Sequence, residues 1–365
     1  MKKLHRKLVC KDRNLIKTGI AIFTYIILIL IHIPGSASSG DKTWMIKGKY
    51  GIFMHYQYRI LLGYAYTTKP QYPEPSEMSS EQWNKFVDGF DVNGFASQMA
   101  EARVGWVIFC MDCDYFGWQC SPNMTFDQFT GYAPGQRCSN RDLIADLSQA
   151  LHQKGVRLIV YYAGMKGYPF DKQSFAGTSD SDVRPIPPSA EARKKHIEIL
   201  KEYCDRYRSR IDGWWFDMWD TDEYYNKPPD DFATIGATVH AGNPNAIIAF
   251  AGHNQFSCHN KEIDDFTGGD ISVKVDLKNY TPFTRPADGG ILWHGKIFCG
   301  NVYHGLGFAN QYTDQELIDW VNTCNHQGGV VTMDWPFDPK TGLLKDFGFA
   351  QLKRIAQATK SSGIK

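Results

Sequence analysis

The sequence predicts an α/β chain folded as a single (β/α)8 TIM barrel, and three observations carry that prediction. Short β-branched or aromatic runs alternate with amphipathic helical runs, the pattern of repeated βα units around a parallel sheet. Eight such strand runs fit between Tyr50 and Met333. No G-x-G-x-x-G follows the first of them, so the doubly wound dinucleotide fold, the main rival, lacks its chief signature. A chain of 365 residues suits two ordinary domains or one large barrel, since barrels commonly exceed the ~150 residues taken as a prior per domain.

In chain order the strand runs are 50–56 (YGIFMHY), 105–111 (GWVIFCM), 156–162 (VRLIVYY), 213–218 (GWWFDM) and 246–251 (AIIAFA). A weak sixth lies at 271–275 (ISVKV), followed by 296–302 (KIFCGNV) and 328–333 (GGVVTM). Between them, 95–103 reads as helix, and Asn140 is placed as N-cap of a helix over 141–154 whose Leu143, Leu147 and Leu151 make an inward stripe. Longer helical patterns run over 189–207 and 231–240. Thr313 and Glu316 form the T-x-x-E capping box of a helix holding Leu317, Trp320, Val321 and Cys324, and a last helix covers 347–358. Insertions at 61–80 and 164–188, rich in Pro, Gly, Ser and Tyr, follow closely on strands, where barrel loops shape the active face. Little chain follows the final helix, so one domain over 40–365 is expected, without a C-terminal sandwich.

Residues 1–39 read as a signal peptide: a basic stretch to Lys17, an apolar run from Gly19 to Ile33 and the small residues Ser36 to Ser39. The run falls short of the ~20 residues that span a bilayer, so a secreted or periplasmic product without a stable membrane anchor is expected. Export puts Cys110, Cys113, Cys120, Cys138, Cys204, Cys258, Cys299 and Cys324 in an oxidising compartment, where some disulfides are expected. Cys204 and Cys324 lie within helical patterns and read equally as buried thiols. The cysteine spacing lacks a second CxxC pair, so no metal and no cofactor are expected. Lys and Arg number 40 against 39 Asp and Glu, a formal net charge of +1. No long basic block stands beside aromatics, which argues against nucleic acid as a partner.

In such barrels the chemistry lies at the C-terminal strand ends. Those ends carry His55, Asp112 and Asp114, Tyr161 and Tyr162, Asp217 and Trp219, His253 and Asn254, Tyr303 and His304, and Asp334 and Trp335. Carboxylates mixed with flat aromatic rings are what sugar chemistry needs: paired acids for the glycosidic bond and rings that stack on apolar sugar faces. The bland readings are a hydrogen-bonded structural histidine, a turn-capping Asp112 or Asp114, and packing roles for Trp214 and Trp215, one inside the barrel and one under the helices. Asp217 resists the bland reading. A carboxylate directly after Trp214, Trp215 and Phe216 would be costly in a core and is tolerable at the open end of a barrel.

These motifs resemble glycoside hydrolase family 29, the alpha-L-fucosidases. YGIFMHY at 50–56 resembles the family's first-strand F-G-I-F-x-H-W, and His55 takes the place of a histidine that contacts the sugar. NRDLI at 140–144 with LIVYY at 158–162 resembles R-D-L followed by a strand ending in Tyr-Tyr; WFD at 215–217 matches the W-F-D of the family nucleophile, a role that would fall to Asp217. GGVVTMDWPFDPKTG at 328–342 resembles the closing strand and its turn. The chain departs in two places. Where the family has K-H-H-D-G-F, residues 111–116 read MDCDYF, and where it has T-P-E or T-A-E with the acid/base glutamate, 280–284 read YTPFT and set Phe283 in the acid position.

The resemblance implies an exported retaining exo-glycosidase, alpha-L-fucosidase-like, acting on an oligosaccharide or glycoconjugate. Asp217 would be the nucleophile, with Asp270, Asp112 and Asp334, and less directly Asp265, as candidates for the acid/base. His55, Asp114, Tyr161, Tyr162, Trp219, His253, Asn254, Trp293 and Trp335 are the candidate sugar contacts. The alternatives are a catalytically inactive glycan-binding barrel, suggested by Phe283 and the lost histidine pair, and a hydrolase for a different sugar.

Overall fold

The computed structural model describes residues 40–63, 78–111, 118–162, 190–217, 229–251, 263–271, 274–287, 290–301 and 307–360. Seven strands among them are short and buried along nearly their whole length, as strands covered on both faces must be: β1 Tyr50–Met54, β2 Trp106–Cys110, β3 Arg157–Tyr162, β4 Gly213–Phe216, β5 Ile247–Phe250, β6 His294–Phe298 and β7 Val330–Asp334. All pair in parallel, in the order β5-β4-β3-β2-β1-β7-β6. The helices that connect or flank them are α1 Thr43–Gly48, α2 Tyr58–Leu61, α3 Ser80–Gly89, α4 Val92–Glu101, α5 Met124–Thr130, α6 Leu143–Gln153, α7 Ala190–Tyr207, α8 Pro229–Gly242, α9 Asp314–His326 and α10 Asp346–Lys360. This is an α/β fold of the TIM-barrel kind with seven regular strands. Among the described residues no helix is long and apolar enough to cross a membrane. The expected leader lies outside them.

Of the sixth predicted strand, at 271–275, the described residues 271, 274 and 275 have no strand geometry and 272–273 lie outside the described residues; the chain just before them takes the place between β5 and β6 without regular strand geometry. Phe266 bridges Leu292 and Asp270 bridges Lys296, both in parallel. The reason is local. Gly269 holds φ +64, and a Cβ on it would lie 2.2 Å from the His294 carbonyl oxygen, so two glycines kink the segment against β6. Side chains then replace a regular ladder. Asp265 accepts from the Ile248 and Gly40 amides at 2.9 Å each, Asp264 accepts from Phe250 N–H at 2.8 Å, and Thr267 Oγ1 accepts from His294 N–H at 2.8 Å. Asp265, a candidate acid by its place in the sequence, is thus a structural tie near the start of β5, away from the C-terminal strand ends; burial raises its carboxyl to about 6.

Helix starts follow their caps. Thr313 and Glu316 make the expected reciprocal capping box of α9. For α6 the cap is Asp142, whose carboxylate accepts from Ala145 N–H at 3.1 Å, and not Asn140, which lies further upstream with its backbone N–H donating to Asn84 Oδ1. Disulfides were expected, but Cys138, Cys204, Cys299 and Cys324 are buried free thiols. Cys113 and Cys258 lie outside the described residues.

The floor of the interior is a closed set of hydrogen bonds. His294 Nδ1–H donates to the Thr267 carbonyl at 2.9 Å, so the neutral ring leaves Nε2 to accept from the Thr332 hydroxyl at 2.7 Å. Thr332 Oγ1 in turn accepts from Trp106 Nε1–H at 3.0 Å. Burial pulls the His294 imidazole down to about 4. Because the unfolded ring takes up its proton near ~6.5, the folded state binds fewer protons between those values, and stability falls as pH drops through that window. His294→Gln is expected to cost about 1–3 kcal/mol at pH 7 and to remove this part of the acid limb. Urea unfolding at pH 7 and pH 4.5 checks it, and an unchanged difference between the two would contradict the assignment.

Candidate active site

Period-two alternation decides which side chains enter the interior. On β1 it turns Phe53 and then His55 inward while Met54 and Tyr56 pack under the helices; on β3 it sends Tyr161 inward and Tyr162 outward. On β4 Trp215 points in, Trp214 and Phe216 point out, and the next inward position belongs to Asp217. Lys296 and Phe298 hold the corresponding places on β6, and Thr332 and Asp334 on β7, whose Met333 and Trp335 pack in the outer layer.

These inward residues meet at the C-terminal end of the sheet. Tyr161 stacks on Trp215 with centroids 5.2 Å apart and donates its hydroxyl to Asp217 Oδ2 at 2.6 Å. Trp215 is itself pinned by donating Nε1–H to the Gly268 carbonyl at 3.0 Å, so the kinked segment helps to hold the aromatic floor beneath Asp217. The His55 ring lies 4.3 Å from Phe53, 5.7 Å from Phe298 and 6.0 Å from Tyr161, and its Nδ1 is 2.7 Å from Asp334 Oδ2. Lys296 Nζ donates to Asp270 Oδ1 at 2.8 Å and sits 3.8 Å from the Phe298 centroid and 4.8 Å from that of Phe53. Three carboxylates, a lysine, a histidine and a tyrosine hydroxyl are thereby gathered among aromatic rings.

Depth separates their roles. Asp217 keeps 9% of its surface exposed, whereas the Asp334 side chain has none. Burial raises the Asp334 carboxyl to about 8, with the Lys296 cation pulling it down and the Asp270 carboxylate pushing it up. Charges this deep are tolerated only when paired, and Lys296–Asp270 and His55–Asp334 are such pairs.

Of the residues expected to hold a sugar or act on it, the structure gathers Asp217, His55, Tyr161, Asp270 and Asp334. Three others sit elsewhere. Tyr162 stacks on His196 of α7 at 5.1 Å, because the strand's alternation gives only one of the two tyrosines to the interior. Trp335 packs beneath α10, donating to Gln351 Oε1 at 3.4 Å. Trp293 precedes β6, at the opposite end of the sheet, and donates to the Arg285 carbonyl at 2.7 Å. Asp112, Asp114, Trp219, His253 and Asn254 lie outside the described residues. Phe283 also changes meaning. It is 75% exposed, its N–H donates to Gln327 just before β7, and the neighbouring Pro282 would lie 2.7 Å from a Cβ on Gly329. It therefore belongs to the end of the sheet far from Asp217 and does not occupy an acid position beside it.

Lys296 was missed as a site residue. Its signal was a charged residue at the inward phase of an otherwise apolar strand, H-G-K-I-F, visible once the strand is placed at His294–Phe298. Among the described residues no group of three or more His, Cys, Asp or Glu is arranged to hold a metal.

No family model matches the chain, and no curated protein does. Solved structures do. The fold is similar to that of the endo-fucoidan hydrolase MfFcnA4 from glycoside hydrolase family 107, with TM-score 0.62 and 17% identity over 87% of this chain and 53% of that one. It is similar to alpha-L-fucosidase AlfC from Lactobacillus casei in complex with alpha-L-fucose product, with TM-score 0.59 and 17% identity over 87% and 98%. A third similar structure is the endo-fucoidan hydrolase P5AFcnA from family 107, with TM-score 0.56 and 13% identity over 89% and 94%. The chain spans 53% and 64% of the lengths of the first two fucoidan hydrolases it matches. At these identities the likeness establishes the barrel-like fold.

The two faces of β3 give a direct contrast. Tyr162→Ala is expected to lose about 3–5 kcal/mol by emptying the layer under α7, whereas Tyr161→Phe, which removes one hydrogen bond to Asp217, should cost about 1 kcal/mol. Denaturant unfolding of both variants measures this, and equal losses would overturn the assignment of faces.

Proposed function

We propose that the protein is a glycoside hydrolase that removes a terminal fucose-like sugar from glycans with retention of configuration. One observation carries the reading: a carboxylate at the rim of a β/α sheet, Asp217, aimed by a tyrosine hydroxyl over an aromatic floor. The similarity of the fold to an alpha-L-fucosidase and to endo-fucoidan hydrolases supports it. Asp217 attacks the anomeric carbon in this reading. Tyr161 donates to its Oδ2 and orients the carboxylate, and His55 reads a sugar hydroxyl. Retaining hydrolysis needs a second carboxyl group roughly 5–5.5 Å away to protonate the leaving oxygen and then activate water. Asp270 is held by Lys296 and Asp334 by His55, so the proposal gives the acid/base role to Asp112, the remaining strand-end candidate. The basic and then apolar pattern at 1–39, read as a leader, supports export to a glycan-containing compartment. Sugar binding without hydrolysis was suggested partly by Phe283, and that support falls away with its position at the far end of the sheet.

Asp217→Ala should lower kcat on aryl alpha-L-fucosides about 1,000-fold or more, and proton NMR of early wild-type product should show the starting anomeric configuration. Asp112→Asn should slow poor leaving groups about 100-fold and activated aryl groups much less, since the latter need little protonation. Full turnover by Asp217→Ala, or release of no monosaccharide by the wild type across a fucoside panel, would end the proposal.

A further inference from the structure

The start of β5 is fastened to the chain that follows the expected leader. Gly40 is buried, and its N–H donates at 2.9 Å to Oδ1 of Asp265, a residue with 1% of its surface exposed. Oδ2 of the same carboxylate accepts from Ile248 N–H at 2.9 Å, and the Asp265 carbonyl accepts from Leu292 N–H at 3.0 Å. Beyond Gly40 the chain stays tied, since Asp41 N–H donates to the Asn245 carbonyl at 3.1 Å and Thr43 donates its N–H and its hydroxyl to Asp41 Oδ1. We propose that the leader is removed by hydrolysis of the Ser39–Gly40 peptide bond, and that the ammonium group released on Gly40 remains in place as a buried ion pair with Asp265. The inference rests on reading 1–39 as an export leader and not on the glycosidase chemistry.

Sequence and geometry select that bond independently. The peptidases that take such leaders need small side chains one and three positions before the cut. Ala37 and Ser39 meet the need for a cut before Gly40, but Gly35 with Ala37 and Ser36 with Ser38 meet it equally for the two preceding bonds. The fold separates them. Only a cut before Gly40 places the new charge on the nitrogen that already lies 2.9 Å from the Asp265 carboxylate. The position also demands glycine, because a Cβ on it would lie 2.2 Å from the Ala246 carbonyl oxygen. In the reaction water adds across the bond, the carboxylate leaves on Ser39, and the amine on Gly40, below its ordinary pKa of ~7.7–8.0, takes up a proton.

Asp265 has a use for that charge. Both groups that donate to its oxygens are backbone N–H groups, neutral while Gly40 stands within the chain, and burial still raises the carboxyl to about 6. A buried carboxylate is stable when a cation stands beside it. The charged and titratable groups around it do not fill that place. Lys42 lowers the carboxyl's pKa, but its Nζ donates to the Gly290 carbonyl. Asp41 is committed to Thr43 and is an acid itself. His240 donates to the Ala246 carbonyl, and burial pulls its pKa down, so the ring is neutral at pH 7. Leader removal thus adds one positive charge at the root of the segment whose Gly268 carbonyl holds Trp215 under Asp217.

The test expresses the full-length gene in a bacterial host, collects the exported product and reads its first residue by intact mass and terminal sequencing. Gly40 is the expected start; a product that begins at any other residue, or that keeps 1–39, overturns the inference. The pair is then read on that product by acylating the α-amine between pH 6 and 10 and measuring the N-terminal peptide by mass spectrometry. Pairing raises the pKa of the amine, and each unit leaves tenfold less of the reactive form, so at pH 7.5 folded Gly40 should label at least about 10-fold more slowly than in urea. A folded-state pKa at or below the ordinary ~8 overturns the pair. Asp265→Asn removes the counter-charge and should return that pKa to the ordinary value; a raised value that persists in the variant overturns the pair as well. Should Asp265→Asn fail to fold, the wild-type pH profile decides alone. None of these readouts needs turnover, so an inactive protein would sink the glycosidase proposal and leave this inference to stand or fall on the terminus.

Discussion

A charge turned into the interior of a parallel β/α sheet has no water to hold it, and the upper half of this interior is organised by that requirement. Lys296 comes from β6, and its counter-charge Asp270 comes from the irregular segment beside it. Asp334 comes from β7 and meets His55 from β1. The Lys296–Asp270 pair is nearly local, whereas His55 and Asp334 are 279 residues apart and meet only when β1 and β7 are paired. The aromatic rings of Phe53 and Phe298 complete the housing by presenting their faces to the lysine cation.

The seam between β5 and β6 shows how a departure from regular structure serves that arrangement. A regular strand would have satisfied its backbone through a ladder. Here Asp264, Asp265 and Thr267 accept from the neighbouring strands' amides, while Gly268 and Gly269 let the chain close on β5 and β6. The kink also leaves the Gly268 carbonyl where Trp215 can donate to it. Backbone irregularity at the seam, the aromatic floor and the aim of Asp217 through Tyr161 are therefore mechanically continuous.

A gradient of depth runs across the candidate site. The fully enclosed Asp334 meets His55, whereas Asp217 keeps some contact with solvent. The same separation explains why three acids can share a small volume: two are neutralised below and one stands at the rim.

Much of this was readable in the chain alone. Apolar β-branched and aromatic runs located all seven regular strands, since burial on both faces leaves little freedom in composition, and the reciprocal Thr313 and Glu316 cap marked its helix because the bonds are local. Asp217 stood out because a carboxylate after three aromatics has few tolerable positions. Other assignments needed the assembled sheet. The sequence carries the alternation of Tyr161 and Tyr162 but not its phase, which follows from which face the neighbouring strands cover. Asn140 and Asp142 are equally good caps by type, and it is the start of the helix at Leu143, with the Asp142 carboxylate accepting from Ala145 N–H, that decides between the two. Phe283 matched a motif position by local pattern, but the end of the sheet it occupies depends on its packing against Gln327 and Gly329. Periodicity and composition are properties of short windows and determined the elements. Pairing across hundreds of residues, as between His55 and Asp334, determined which side chains share a buried space and hence their charge.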